Sequence, residues 1–252
     1  MKKKCNIFNF PLYYISFKKN EILEKELSKY GFTDINHFKA IDGRKFKPYE
    51  LKENGFLTSR SYNDLINGRS QHSGLGKLGA IGCTLSHASL WKKCIDENIR
   101  FITIVEEDVL FKDKIDEKLC KLILDSVNKK NGIFVGTNVE KNKKNTSFIG
   151  LQFYVVSNGA CKELVENVFP INVQTDWYMA YLDLFKKVDI TGYPISTQKY
   201  HKSSIQLSCI LCDLPKSPFW YILLLVFLVV LLIGVIVYYR KYKQCKINSI
   251  IM

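Results

Sequence analysis

An open, mostly parallel α/β sheet with helices on both faces is the fold that this 252-residue sequence predicts. Three features carry the prediction. Runs rich in strand-forming residues alternate with stretches of helical period along most of the chain. One run, Phe101 to Val105 (FITIV), reads as a continuous apolar strand of the kind buried on both faces. Hydrophobic residues make up 47% of the chain, enough for a packed core, so a mostly disordered chain is excluded.

The elements follow in order. Leu12 to Phe17 (LYYISF) is a short strand, and Glu21 to Tyr30 a helix with Ile22, Leu23, Leu27 and Tyr30 on one side and Gly31 as its stop. Phe38 to Ile41 is a second strand, ending at Asp42 and Gly43. Residues 44–73 are polar and weakly patterned, a loop or small helices over a cleft. Gly74, Gly76, Gly79 and Gly82 punctuate SGLGKLGAIGC, which fits neither GxGxxG nor a P-loop and so excludes dinucleotide and Walker sites. Thr84 to Asp96 is helical, with Leu85, Ala88, Trp91 and Ile95 on one face. The FITIV strand then runs into Glu106, Glu107 and Asp108. A helix over 117–127, strands over Gly132–Gly136 and Phe148–Ser157, helices over 158–167 and Asp176–Phe185 and a strand over 188–191 complete the alternation.

The end of the chain has a different character. Phe219 to Tyr239 is a run of 21 uncharged residues, FWYILLLVFLVVLLIGVIVYY. As a helix it extends about 31 Å, the thickness of a bilayer's hydrocarbon core. Trp220, Tyr221, Tyr238 and Tyr239 stand at its ends, where amphipathic rings prefer the headgroup layer. The sequence thus predicts a main domain over 1–206, a juxtamembrane linker over 207–218, a transmembrane helix over 219–239 and a basic tail over 240–252. Arg240, Lys241, Lys243 and Lys246 favour a cytosolic tail and a domain outside. The N-terminal MKKKCNIFNFPLYYISFKK lacks the apolar core of a signal peptide, which favours a cytosolic domain. The balance falls toward a cytosol-facing domain on a single-pass C-terminal anchor, with a luminal one as the alternative.

Lys and Arg total 37 against 24 Asp and Glu, a net charge of +13, which favours anionic partners: nucleotide-sugars, phospholipids or nucleic acid. No RNP-like or helix-turn-helix pattern supports the last, so no nucleic acid is expected. Eight cysteines lack the dense spacing of a disulfide framework, and Cys209 and Cys212 form a lone CxxC without a second pair. Asn145-Thr146-Ser147 is a glycosylation sequon that matters only for a luminal domain.

Chemistry is expected at the three acids. Ligands of open α/β sheets bind outside the carboxyl ends of strands. Glu106 and Asp108 project to one side if the backbone stays extended. Two carboxylates so placed can hold a hard divalent ion and leave positions for phosphate oxygens; the alternative is an ordinary acidic loop.

The ordered blocks LYYISF, AIDG (Ala40–Gly43), LGAIGCTLSHASLWKKCID (Leu78–Asp96) and ITIVEEDVLF (Ile102–Phe111) resemble glycosyltransferase family 25. GLQFYVVSNGACKELV (Gly150–Val165) and YPISTQKYHKSSI (Tyr193–Ile205) resemble its downstream blocks, so the resemblance covers roughly residues 10–206. It implies a Rossmann-related GT-A-like fold and an inverting transfer of a hexose, galactose or glucose, from a UDP-sugar to a carbohydrate, lipid-linked or protein hydroxyl. It implies a divalent cation, manganese or magnesium, held at Glu106, Glu107 and Asp108, where the family shows Glu-Asp-Asp. It places Asp42, Gly43, Gly82, Ser86 and His87 in matched blocks as candidates for the donor cleft. Asp176 is the candidate base, with a helix cap as the bland reading. Trp177 is a candidate sugar-stacking ring, with core packing as its alternative. His201 is a candidate for metal or phosphate contact, with solvated basic surface as its alternative. Ala80 stands where the family commonly has Glu, and the first strand continues into Phe17-Lys18-Lys19. These departures motivate the alternative function: a degenerate transferase fold serving as a membrane-bound binding or scaffolding module.

Overall fold

The computed structural model describes residues 6–142, 146–199 and 223–238. The chain divides into two compact units, residues 1–212 and 213–252. Expectations that fall on the linker, the CxxC, His201, the sequon's Asn145 and the basic tail lie outside the described residues.

Within the first unit the strands are β1 (Leu12–Ser16), β2 (Ile35–Lys39), β3 (Phe101–Glu106), β4 (Val109–Phe111), β5 (Gly132–Val135), β6 (Glu140–Lys141), β7 (Thr146–Ser147), β8 (Phe153–Ser157), β9 (Asp189–Gly192) and β10 (Ser196–Gln198). The helices are α1 (Glu21–Tyr30), α2 (Pro48–Glu53), α3 (Ser59–Asn67), α4 (Leu78–Asp96), α5 (Glu117–Val127), α6 (Asn158–Asn167) and α7 (Thr175–Leu184). Six strands form the central sheet in the order β2-β1-β3-β8-β5-β9. β1 pairs parallel with β2 and β3, and β5 parallel with β9, while β8 runs antiparallel to both neighbours, β3 and β5. The sheet is therefore mixed, with one reversed strand in its middle.

Side-chain alternation makes this sheet two-faced. On β3, Ile102 and Ile104 face one core with Trp91 and Cys94 of α4, Cys161 and Leu164 of α6 and Met179 of α7. Phe101 and Val105 face the other, with Leu23 and Leu27 of α1 and Ile123 of α5. Tyr154 and Val156 of β8 join the first core, Phe153 and Val155 the second. Burial on both faces is why FITIV has no polar alternation: only Thr103 interrupts it, fully buried.

Several boundaries moved. α4 begins at Leu78, six residues before the expected start, because Gly79 and Gly82 lie inside the helix. Gly82 is there for space. A Cβ on it would sit 2.3 Å from the Ile41 carbonyl oxygen, and one on Gly43 would sit 1.8 Å from that of Leu78. The loop around Asp42 thus presses directly onto α4. The strand expected from Phe148 begins at Phe153, the one expected at Phe38 spans Ile35–Lys39, and α7 starts one residue early, at Thr175. Ile22, assigned to the apolar side of α1, is 72% exposed; Leu23 and Leu27 carry the contact.

In the second unit, residues 223–238 are helical with every side chain exposed. Among the described residues no helix is long and apolar enough to cross a membrane. The run expected to span, 219–239, extends past the described helix at both ends, so the structure does not show it as a span.

Candidate active site at the end of strand β3

The cleft forms where β3 ends. Ala80 and Cys83 of α4, Glu106, the loop Ile149–Gln152, Gln174, Thr175 and Asp176 at the start of α7, and Gln198 of β10 line it. Its empty volume is about 610 Å3 with open solvent included. Its walls are tied together. Thr84 of α4 and Thr175 of α7 share a buried hydroxyl hydrogen bond of 2.9 Å. Gln174 donates its amide to the carbonyls of His72 and Gly74 at 3.1 and 3.0 Å. Glu106 N–H donates to the Gln152 carbonyl at 3.0 Å.

The acidic triplet separates. The chain does not stay extended past Glu106: Glu107 and Asp108 form the turn between β3 and β4. Glu107 is exposed, whereas Glu106 and Asp108 are half-buried. Burial, and next the charge of Glu106, raise the Asp108 carboxyl above its ordinary value. Its Oδ2 accepts from Gln198 Nε2 at 2.6 Å, and Lys199 N–H donates to its carbonyl at 2.7 Å. β10 therefore pins this turn through its antiparallel pairing with β4. Asp108 Oδ1 is buried with no hydrogen-bond partner. A buried anionic oxygen left orphaned beside a second carboxylate fits a cation, which would satisfy it and remove the repulsion.

Asp176 lines the cleft with Glu106, whereas Glu107 and Asp108 are not among its lining residues. Asp176 is the second residue of α7, and the cap position belongs to Gln174. Its Oδ2 accepts from Gly150 N–H at 3.1 Å and its Oδ1 from Trp177 N–H at 2.8 Å. Gly150 has φ +82, a left-handed conformation that turns this N–H toward the carboxylate. Burial nonetheless lifts the Asp176 carboxyl above its ordinary value; those two N–H bonds pull it down and Glu106 pushes it up. Trp177 is half-buried between His72, edge-on at 5.9 Å between ring centres, and Tyr181 at 6.1 Å.

The candidates from the glycine-rich block have other positions. None of Asp42, Gly43, Gly82, Ser86 and His87 is among the residues lining the cleft. Asp42 caps a short 3-10 turn and pairs with Arg44 at 2.7 Å. Ser86 is buried; its hydroxyl donates to the Gly82 carbonyl at 2.7 Å and accepts from Ile41 N–H at 2.9 Å, joining the Asp42 loop to α4. His87 is 1% exposed, behind the cleft wall, with Nε2 3.2 Å from Glu106 Oε1.

Cys83 was not anticipated. One turn before His87 on α4, it offers with His87 and Glu106 three metal-ligating atoms within 4.8 Å of one another. Burial, and then Glu106, push its thiol well above the ordinary value, so it stays protonated. The i, i+4 spacing of Cys83 and His87 was visible, but nothing in the sequence brought Glu106 to the same helix face. Ala80, noted for its departure from the family pattern, puts only a methyl group at the cleft.

In this α/β domain, Glu106 at the end of a strand and Asp176 at the start of a helix line one cleft. A family model described as "Glycosyltransferase family 25 (LPS biosynthesis protein)" matches residues 10–143, and the chain belongs to that family. Mouse procollagen galactosyltransferase 2 is 32% identical over 92 residues, 36% of this chain and 14% of that protein. Mouse inactive glycosyltransferase 25 family member 3 is 34% identical over 86 residues, 34% of this chain and 14% of that protein. The chain thus matches about one seventh of the length of these curated relatives. Among solved structures, apo mouse xyloside xylosyltransferase 1 aligns with a TM-score of 0.38 and 8% identity, over 73% of this chain and 71% of that one.

Proposed function

We propose that this chain is a nucleotide-sugar-dependent hexosyltransferase that transfers galactose or glucose from a UDP-sugar to a hydroxyl of a glycan, lipid-linked or protein acceptor. The observation that carries the reading is Glu106 at the cleft with Asp108 two residues on, whose Oδ1 is buried without a hydrogen-bond partner and whose carboxyl the charge of Glu106 raises. These two carboxylates would hold manganese or magnesium, with Glu107 in solvent. When bound, such an ion neutralises charge on a departing diphosphate. Asp176 takes the proton from the acceptor hydroxyl. Its raised affinity for a proton suits that role, and Gly150 and Trp177 fix its direction. The family's inverting chemistry makes this one direct displacement. Trp177, beside Asp176, offers a ring for the acceptor sugar. The test is to incubate the full chain with UDP-galactose or UDP-glucose and manganese and assay UDP release. Release that requires manganese supports the reading, and no turnover or binding with any nucleotide-sugar refutes it.

Ala80 at the cleft and a family relative named inactive favour a second reading, a transferase fold kept as a binding or scaffolding module. It predicts that Asp108→Ala leaves biological activity intact. Loss of activity in a folded Asp108→Ala chain removes it.

The apolar run 219–239 supports a single-pass C-terminal anchor, and the side on which the family domain lies is proposed as the cytosol. In sealed vesicles, external protease digests a cytosol-facing domain and spares a luminal one.

A further inference from the structure

We propose that His87 is a positioning residue, which holds Glu106 in place through its Nε2–H and is itself fixed in that tautomer by Tyr154 and Trp91. This role rests on Glu106 being a cation ligand in the proposed transferase; the tautomer does not.

Donors and acceptors along this chain of contacts fix each proton. Trp91 Nε1–H can only donate, and it points at Tyr154 Oη at 2.9 Å. The Tyr154 oxygen is therefore an acceptor there. Tyr154 is fully buried, so its own hydroxyl proton needs an acceptor within the protein. His87 Nδ1 is 2.8 Å from that oxygen. Tyr154 donates to Nδ1, Nδ1 carries no hydrogen, and the neutral imidazole carries its proton on Nε2. Nε2–H then meets Glu106 Oε1 at 3.2 Å. The chain Trp91 to Tyr154 to His87 to Glu106 runs in one direction, with every polar hydrogen used.

Both other protonation patterns leave a buried group unpaired. With the proton on Nδ1, the Tyr154 hydroxyl loses its acceptor and the Nε2 lone pair faces a carboxylate oxygen. With both nitrogens protonated, the Tyr154 hydroxyl is again stranded. The same logic bears on Cys83. His87 presents a proton rather than a lone pair toward Glu106, so these three side chains are not a preformed soft-metal site despite their closeness. The consequence falls on Glu106, a flexible side chain at a strand end. Held through Oε1, it keeps Oε2 for a cation, which is how an outer hydrogen bond orients a ligating carboxylate.

The experiment has two parts on the full chain. Long-range proton–nitrogen NMR of histidine-labelled protein reports the tautomer, with the His87 signal identified by its loss in His87→Gln. The expected result is a protonated Nε2 and an unprotonated Nδ1; a protonated Nδ1 overturns the proposal and leaves the transferase reading standing. Calorimetry of manganese binding follows for wild type, His87→Phe and His87→Gln. His87→Phe should weaken binding about tenfold or more, the usual effect of losing such a second-layer partner. His87→Gln should restore most of it, because its amide N–H reaches the position of Nε2. A purely structural histidine would shift melting in both variants and leave the affinity alone; unchanged affinity in folded His87→Phe overturns the proposal. If wild type binds no manganese while the Nε2–H signal is present, the cation reading falls and takes the positioning role with it.

Discussion

Gln198 Nε2 donates to Asp108 Oδ2 at 2.6 Å, so a residue 90 positions later in the chain fixes the aspartate of the acidic turn. The other carboxylate oxygen stays buried and orphaned. The turn therefore carries an electrostatic cost, which the proposed cation would relieve.

That cost predicts a stability trade. Burial and Glu106 raise the folded-state pKa of Asp108. A carboxyl raised on folding leaves stability intact below its unfolded pKa, about 3.9, and subtracts from it as pH rises through the folded value. Without metal, Asp108→Asn should therefore melt higher than wild type at neutral pH, by about 2–4 °C for each 1 kcal/mol recovered in a chain of this size. The gain should vanish near pH 4. Melting curves in chelator at both pH values check it, and adding manganese should reverse the order at neutral pH by stabilising only wild type.

Asp176→Asn should leave the cleft folded, since an amide oxygen can still accept from Gly150 or Trp177 N–H. It should lower kcat by about 10²–10⁴-fold, the range for losing a general base, with donor KM nearly unchanged. Steady-state kinetics with the donor varied check this.

Gly82→Ala should destabilise severely, by about 3 kcal/mol or more, because its Cβ would lie 2.3 Å from the Ile41 carbonyl and 2.5 Å from Gly43 N. Gly55 at φ +74 meets nothing within 4 Å. Gly55→Ala should cost only the strain of its left-handed backbone, about 1–2 kcal/mol. Comparing the two melting curves separates close packing from backbone freedom.

The fold was legible where periodicity carries it. FITIV announced a strand covered on both faces, and helices over 117–127 and 158–167 match α5 and α6 in their bounds. The reversal of β8 was not legible, because a doubly buried antiparallel strand shows the same apolar run as a parallel one. Gly79 and Gly82 read as loop punctuation, although both lie in α4 and a helix keeps glycine at Gly82, where another backbone presses on it. Glu106 and Asp176 were legible because both follow a local pattern, a strand end and a helix start. Gln198, Gly150 and Cys83 were not, because they join the site only through long-range contacts with β4, α7 and β3.

Calorimetric titration of UDP into the full chain, with and without manganese, tests the central claim most directly. UDP should bind wild type only when manganese is present, and Asp108→Asn and Glu106→Gln should abolish this dependence together with binding. UDP binding of equal strength without metal, or unchanged in those two variants, would contradict the claim.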